Sequence, residues 1–184
     1  AVSGDGITRL LTEAAGSLSI GTILDLRAAE AYANNHAVTD TRRALDSAFD
    51  RLTDGRPEHG DPDWAYWINE AQAHAQASYC YVKLEDWTRA REHLRAALRL
   101  QDDEYSREGA LRNALLATTY VRQDQPELDK ALALGDQAVQ TLTGQVTSAR
   151  CIKHVRNLVG ALGPYRRTPA VRRFCNDAKD LIAT

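Results

Sequence analysis

Amides and a phenol recur along one predicted helix, and their chemistry suits a binding surface. In a helix over residues 62–84, six positions spaced four or three apart fall on one narrow stripe: Ala65, Asn69, Gln72, Gln76, Tyr79 and Lys83. Apolar residues cover most of the remaining circumference, as in a helix packed on several sides. Amides can pair with both the N–H and the C=O of a bound backbone. The stripe is therefore either a binding surface or a set of ordinary solvated positions.

Sequence patterns for a catalytic or metal-binding site are weaker than the pattern of this polar stripe. His59, Asp61 and Asp63 alternate in "EHGDPD", a conceivable metal or acid–base cluster, but Asp61 before Pro62 is better explained as a helix N-cap. The acidic "QDDEY" lacks the spacing and the central glycine of a calcium loop. The chain contains no GxSxG, no P-loop and no dinucleotide-type glycine pattern. We therefore predict that the protein is not an enzyme and uses neither a metal nor a cofactor.

Three aromatics stand close together in "DPDWAYWINEA". A helical wheel places Trp64 and Trp67 on the core side and Tyr66 towards the other packed side. We interpret the tryptophans as a staple that locks a central helix to its neighbour. A stacking platform for a ligand is the alternative that the wheel disfavours.

Length, composition and cysteine usage predict one cytoplasmic helical domain over residues 1–184. No apolar run approaches the roughly 20 residues of a membrane span. Cys80, Cys151 and Cys175 lie far apart without a CxxC pair, which favours reduced, buried thiols. The chain starts at Ala1 and contains no methionine, so we expect a processed product or a segment of a longer protein.

Charge is unevenly distributed along the chain. Residues 144–184 carry eight basic and two acidic side chains, whereas the preceding residues carry 15 basic and 23 acidic ones. Such a segment is either a surface that binds nucleic acid or an acidic partner, or a solvent-exposed surface whose charges only keep it hydrated. We favour solvation, because no aromatics interleave with the arginines as in a single-strand binder.

Alanine- and leucine-rich segments, separated by Gly or Pro, predict helices along nearly the whole chain. Their predicted ranges are 19–35, 40–53, 62–84, 87–100, 106–123, 126–142, 148–162 and 169–182. Asp61 with Pro62, Pro126, Ser148 and Pro169 are the expected start signals. Short breaks imply antiparallel hairpins, which we pair as 19–53, 62–100, 106–142 and 148–182.

The hairpins repeat a local pattern. Tyr32, Tyr81 and Tyr120 end three first helices in the same register, and each following helix carries spaced small residues. The segment "TRAREHLRAAL" contains Ala90-x3-Leu94-x2-Ala97. This pattern resembles the second helix of the tetratricopeptide repeat, a resemblance that implies an all-α, right-handed solenoid of about four hairpins.

A narrower resemblance covers the whole chain. The ordered segments "DPDWAYWINEAQAHAQASYCYVKLEDWTRAREHLRAALRL", "REGALRNALLATTYVRQDQPELDKALALGDQAV" and "VTSARCIKHVRNLVGALGPYRRTPAVRRF" resemble the C-terminal repeat domain of actinobacterial regulators with a Cro/C1-type helix-turn-helix. The DNA-binding part has no counterpart in these residues. The resemblance implies the sensor or oligomerisation half of a transcriptional regulator, which would contact DNA only through that missing domain.

In tetratricopeptide repeats the first helix of each pair lines a concave groove, and this resemblance extends the candidate site. Thr118 and Arg122 would continue the stripe, and Arg150, His154 and Asn157 would close the groove with positive charge. The expected occupant is a peptide, a protein segment or a small-molecule effector, with no membrane partner. The alternative is a structural scaffold or homodimerisation domain without a ligand of its own.

Overall fold

The computed structural model describes residues 17–53, 65, 67–101, 106–143 and 149–183, and all regular structure within these ranges is helical. The predicted all-α class is confirmed for this part of the chain, and most helices that are adjacent in sequence pack in pairs. The chain divides into two compact units, Ala1–Glu85 and Asp86–Thr184. The boundary falls inside the predicted pair 62–100. The solenoid arrangement stays a prediction.

The described part of the first unit consists of three helices. These are α1 (Leu18–Asn34), α2 (Val38–Thr53) and α3 (Glu70–Lys83). Ser17 caps α1 by accepting a hydrogen bond from the backbone N–H of Ile20 at 3.1 Å. Helix α1 packs against both α2 and α3.

Helices α1 and α2 form an antiparallel hairpin held by a polar contact. The Asp25 carboxylate accepts hydrogen bonds from the Ser47 hydroxyl at 2.7 Å and from Arg51 Nε at 2.8 Å. A Cβ on Gly21 would lie 2.9 Å from the Arg51 guanidinium. The absence of a side chain at Gly21 therefore leaves space for the Arg51 side chain. Ala29, Ala33 and residues Thr41, Leu45 and Ala48 of α2 form the buried core of the hairpin.

The second unit contains six described α-helices and one 3-10 helix. They are α4 (Trp87–Arg99), α5 (Ser106–Arg122), α6 (Leu128–Leu142), α7 (Ala149–Ala161), the 3-10 helix Gly163–Tyr165, α8 (Pro169–Asp177) and α9 (Lys179–Ala183). Asp86 caps α4 through the backbone N–H of Arg89, and Pro169 occupies the first turn of α8 as predicted.

Helix α5 is the core of the second unit. It packs against α4, α6 and α7, and all residues from Ala114 to Val121 are buried. A helix that is apolar around its circumference must be covered on every side. The Ala90, Leu94 and Ala97 pattern of α4 is also fully buried, in agreement with its predicted packing role.

Gly135 allows α6 to approach α7 and α8 closely. A Cβ at this position would lie 2.8 Å from the Phe174 ring and 2.9 Å from Leu158 Cδ2. Both neighbours are fully buried, so neither can turn away into solvent. The glycine is therefore a packing requirement of the second unit.

Three sequence-based details are wrong. The predicted helix over 62–84 begins at Glu70, because Asn69 caps it. The predicted helix over 169–182 is interrupted at Ala178, between α8 and α9. Tyr32 is 42 % exposed whereas Tyr81 and Tyr120 are buried, so the three tyrosines are not equivalent. The proposed caps Asp61 and Ser148 lie outside the described residues.

Candidate functional site

Asn69 heads α3 as its N-cap. Its side-chain oxygen accepts a hydrogen bond from the backbone N–H of Gln72 at 2.9 Å, which satisfies one of the free donors of the first turn. Ala65, also expected on the stripe, precedes α3 and is buried. The predicted polar stripe is therefore shorter than expected and starts at Gln72.

The helical part of the stripe lies on the partly exposed face of α3. Gln72, Gln76 and Tyr79 are half-buried and Lys83 is exposed. The Gln76 amide donates a hydrogen bond to Glu30 Oε2 of α1 at 3.2 Å. This bond uses one N–H, and the amide retains a second N–H and a carbonyl oxygen for other partners.

Helix α1 contributes charged groups that the sequence analysis did not single out. Arg27 Nη1 donates to Glu30 Oε2 at 2.9 Å, so one carboxylate oxygen receives both the guanidinium and the Gln76 amide. Exposed ion pairs of this kind add little stability, about 0–1 kcal/mol. Their effect here is to orient the Gln76 amide between two helices.

Trp67 is 39 % exposed, which corrects its predicted position in the core. It lies in a cleft between α1 and α3, the α1–α3 cleft, whose lining residues are Ile23, Leu26, Arg27, Trp67, Ile68, Gln72 and Gln76. The cleft encloses only about 30 Å³, room for about one water molecule. It is therefore a shallow surface with an aromatic and two amides, and does not enclose a small molecule. Trp64 and Tyr66 lie outside the described residues.

The aromatic-rich segment "DPDWAYWINEA" was the sequence signal for this surface. The helical wheel, however, assigned Trp67 to the core side. The wheel assumed a helix from residue 62, whereas Trp67 precedes the first turn of α3. No sequence pattern distinguishes Arg27 and Glu30 as site residues, because an i, i+3 charge pair occurs on many solvated helices.

Cys80 lies near this face but is chemically inert. Burial, reinforced by the negative charge of Glu30, raises the pKa of the Cys80 thiol to about 12. The thiolate needed for nucleophilic attack is therefore absent at neutral pH. In the ranges that the structure describes, no three His, Cys, Asp or Glu side chains are grouped to hold a metal ion. His59, Asp61 and Asp63 lie outside those ranges.

The predicted site residues of the second unit differ in their exposure. Arg122, Arg150 and Asn157 are exposed, whereas Thr118 is buried and donates its hydroxyl to the Ala114 carbonyl at 3.0 Å. Thr118 therefore does not present its hydroxyl on an open surface. Its burial follows from the packing of α5 on three neighbouring helices.

His154 does not supply the positive charge expected of it. Desolvation, together with the nearby cations Arg150 and Lys153, lowers the pKa of its imidazole to about 4. The ring is therefore neutral at pH 7. In the predicted line of three residues, the positive charge comes from Arg150 alone.

A cationic cluster surrounds Tyr120 at the packing of α4, α5 and α6. Arg91, Arg95 and Lys130 lie 4.8, 5.7 and 5.6 Å from the ring centroid, within cation–π range. Arg95 also donates a hydrogen bond to the Tyr120 hydroxyl. Hydrogen bonds from Lys130 and Gln123 hold the pKa of Glu127 below its usual range, so this acid balances part of the positive charge. Together with the burial of the ring, these contacts indicate a packing role for Tyr120.

Within the described residues, no helix is both long and apolar enough to cross a membrane. No protein-family model, curated protein or solved structure matches the chain.

Proposed function

We propose that the chain is a helical binding module whose α1–α3 cleft binds an extended segment of a peptide or protein. The observation that carries this proposal is the exposed Trp67 beside the half-buried amides Gln72 and Gln76. An aromatic ring offers a large contact area, and amides pair with backbone groups whatever the side chains of the partner.

The shape of the cleft favours a chain over a small molecule. Ligand pockets for small molecules usually have about 300–1,000 Å³, whereas this cleft has about 30 Å³. A partner must therefore lie across the surface and use main-chain hydrogen bonds. The positioned Gln76 amide supports this mode, because Glu30 restrains it before binding.

The resemblance of the sequence to actinobacterial regulators supports a role for such a module in a transcriptional regulator, as a sensor for an attached DNA-binding domain. A bound segment would bias that domain only if two arrangements of the protein differ in their affinity for the segment.

A homodimerisation role is the second candidate, and a different surface favours it. Leu24 is 60 % exposed and Tyr32 is 42 % exposed, and their spacing of eight residues sets them about 80° apart around α1, two turns from each other. Exposed apolar residues that share a face are typical of interaction surfaces.

The test of the peptide-binding proposal uses a peptide selected from a random displayed library. Replacing Gln72 and Gln76 together by alanine should weaken its binding about tenfold or more, because each amide bond contributes about 1 kcal/mol. The matched control replaces Gln137 and Gln140, exposed glutamines of α6, and should bind as wild type. Both variants should keep the wild-type melting temperature. Selection of no binding peptide, or equal binding by both double variants, would overturn the proposal.

A further inference from the structure

A cavity of about 400 Å³ lies in the second unit, where α7, α8 and α9 meet. Its volume falls in the range of small-molecule sites, about 300–1,000 Å³. Arg172, Cys175 and Lys179 line it from successive turns along one face of α8 and the start of α9. Arg166 lines it from the residues that follow the 3-10 helix. The cavity is thus built by several elements of one compact unit.

Charge in the cavity has one sign. Three cations line it, Arg166, Arg172 and Lys179, and none of the described lining residues is acidic. The neighbouring Asp177 is not part of the described lining. Like charges around one cavity raise each other's energy, and an anion in their midst relieves that repulsion.

The rest of the lining is mostly apolar. Val159 of α7 and Ile182 of α9 contribute aliphatic surface, and Asn176 adds an amide. Arg156 donates a hydrogen bond to the backbone carbonyl of Ile182 at 3.2 Å, which ties the end of α9 to α7 and holds that wall in place. A ligand that fits must therefore have an apolar body as well as a negative group.

We propose that this cavity binds a small molecule that carries a carboxylate on an aliphatic body. Arg166 and Arg172 hold the carboxylate, and Val159 and Ile182 contact the aliphatic part. Guanidinium groups suit this role because their planar N–H pairs match the two carboxylate oxygens. The cavity gives the basic C-terminal segment a specific role. The inference does not depend on the α1–α3 cleft, which lies in the other unit.

Cys175 provides a direct measure of occupancy. It is half-buried at the cavity, whereas the two other cysteines of the chain, Cys80 and Cys151, are buried. Burial raises the pKa of the Cys175 thiol, and the positive charge of Arg166 opposes this rise. The thiol is therefore protonated at neutral pH and reacts slowly with a neutral alkylating reagent, so protection by a ligand is readily timed.

The experiment follows alkylation of Cys175 by iodoacetamide in the full chain, with mass spectrometry to identify the modified residue. Decanoate below its micellar concentration should slow the reaction about tenfold at saturation. Decyltrimethylammonium, with the same chain and the opposite charge, should not. Absence of protection by millimolar decanoate, or equal protection by both amphiphiles, would overturn the proposal.

Single substitutions distinguish binding by the cavity arginines from a general effect of positive charge. Arg166→Gln and Arg172→Gln should each weaken decanoate binding about tenfold, because each variant loses a charge-assisted hydrogen bond to the carboxylate. Arg167→Gln removes the same charge from an equally exposed neighbour that does not line the cavity, and should change the affinity less than about twofold. A loss of affinity in Arg167→Gln equal to that in Arg166→Gln would contradict a specific site. Gln72→Ala with Gln76→Ala should bind decanoate as wild type, whatever its effect on peptide binding.

Discussion

Asn69 and Gln72 belong to one predicted stripe, yet they act in different ways. The Asn69 side chain accepts a hydrogen bond from the Gln72 backbone and so fixes where α3 begins. The Gln72 side chain lines the α1–α3 cleft. A change at Asn69 therefore acts on folding, whereas a change at Gln72 acts on the proposed binding.

Asn69→Ala should lower the free energy of unfolding by about 1 kcal/mol, because the first turn of α3 loses its cap. Asn69→Ser keeps a side-chain acceptor and should retain most of the wild-type stability. Chemical denaturation followed by circular dichroism measures both values. Equal stability of wild type and Asn69→Ala would refute the capping role.

His154 should make stability depend on pH. Its folded-state pKa of about 4 lies below the ordinary value of 6.5, so the unfolded chain binds a proton more readily. Stability should therefore fall as the pH drops from about 6.5 to about 4, by about 1–3 kcal/mol, and this contribution should level off below pH 4.

The variant His154→Gln isolates this effect. The free energies of unfolding of wild type and variant are measured at each pH. The wild-type value minus the variant value should decrease as the pH is lowered. A difference that is constant from pH 7 to pH 4 would show that the imidazole is not desolvated in the folded protein.

Trp67 and Thr118 show what a single sequence leaves undetermined at the residue scale. Trp67 was assigned from a helical wheel and Thr118 from the register of the predicted repeat. Neither assignment shows where a helix starts or which neighbours cover it. Trp67 precedes α3, and Thr118 lies in a helix covered by three others. Periodicity describes one helix, whereas exposure depends on the packing of several.

At the scale of elements, alanine- and leucine-rich segments, their Gly and Pro breaks and the start signals carried most of the prediction. The helices α1, α2, α4, α5, α6 and α7 begin within two residues of their predicted starts. The start of α3 was missed because Asp61 with Pro62 is the stronger local signal, whereas Asn69 stands between apolar and acidic residues without a proline.

Gly135→Ala should destabilise the second unit even though alanine favours helices. Better helix propensity contributes about 1 kcal/mol, whereas overpacking a core costs about 1–3 kcal/mol. The new methyl would meet the buried Phe174 ring at 2.8 Å, so the cost should dominate and the melting temperature should fall.

Gly160→Ala is the matched control. Gly160 lies in α7, and a Cβ there has no neighbour within 4 Å among the described residues. This substitution should raise the melting temperature, because only the propensity gain of up to about 1 kcal/mol remains. Opposite signs at the two glycines are expected in differential scanning calorimetry, and a stabilised Gly135→Ala would refute the close packing.

At the scale of the whole molecule, the two compact units carry separate proposals. The first contains the α1–α3 cleft and the exposed face of Leu24 and Tyr32, and the second contains the basic cavity. Composition predicted the helices, and the charge distribution predicted a basic C-terminal segment. The boundary after Glu85, however, has no recognisable sequence signal in the short turn between α3 and α4. Contacts between distant residues determine such a boundary, and a single sequence does not display them.

The most direct test of the account is the NMR spectrum of the chain with a selected peptide bound. We expect the largest shift changes at the side-chain amides of Gln72 and Gln76 and at the indole N–H of Trp67. Such changes would place the peptide in the α1–α3 cleft. Changes confined to the α1 face of Leu24 and Tyr32, with those three groups unaffected, would contradict the central claim and favour an association surface instead.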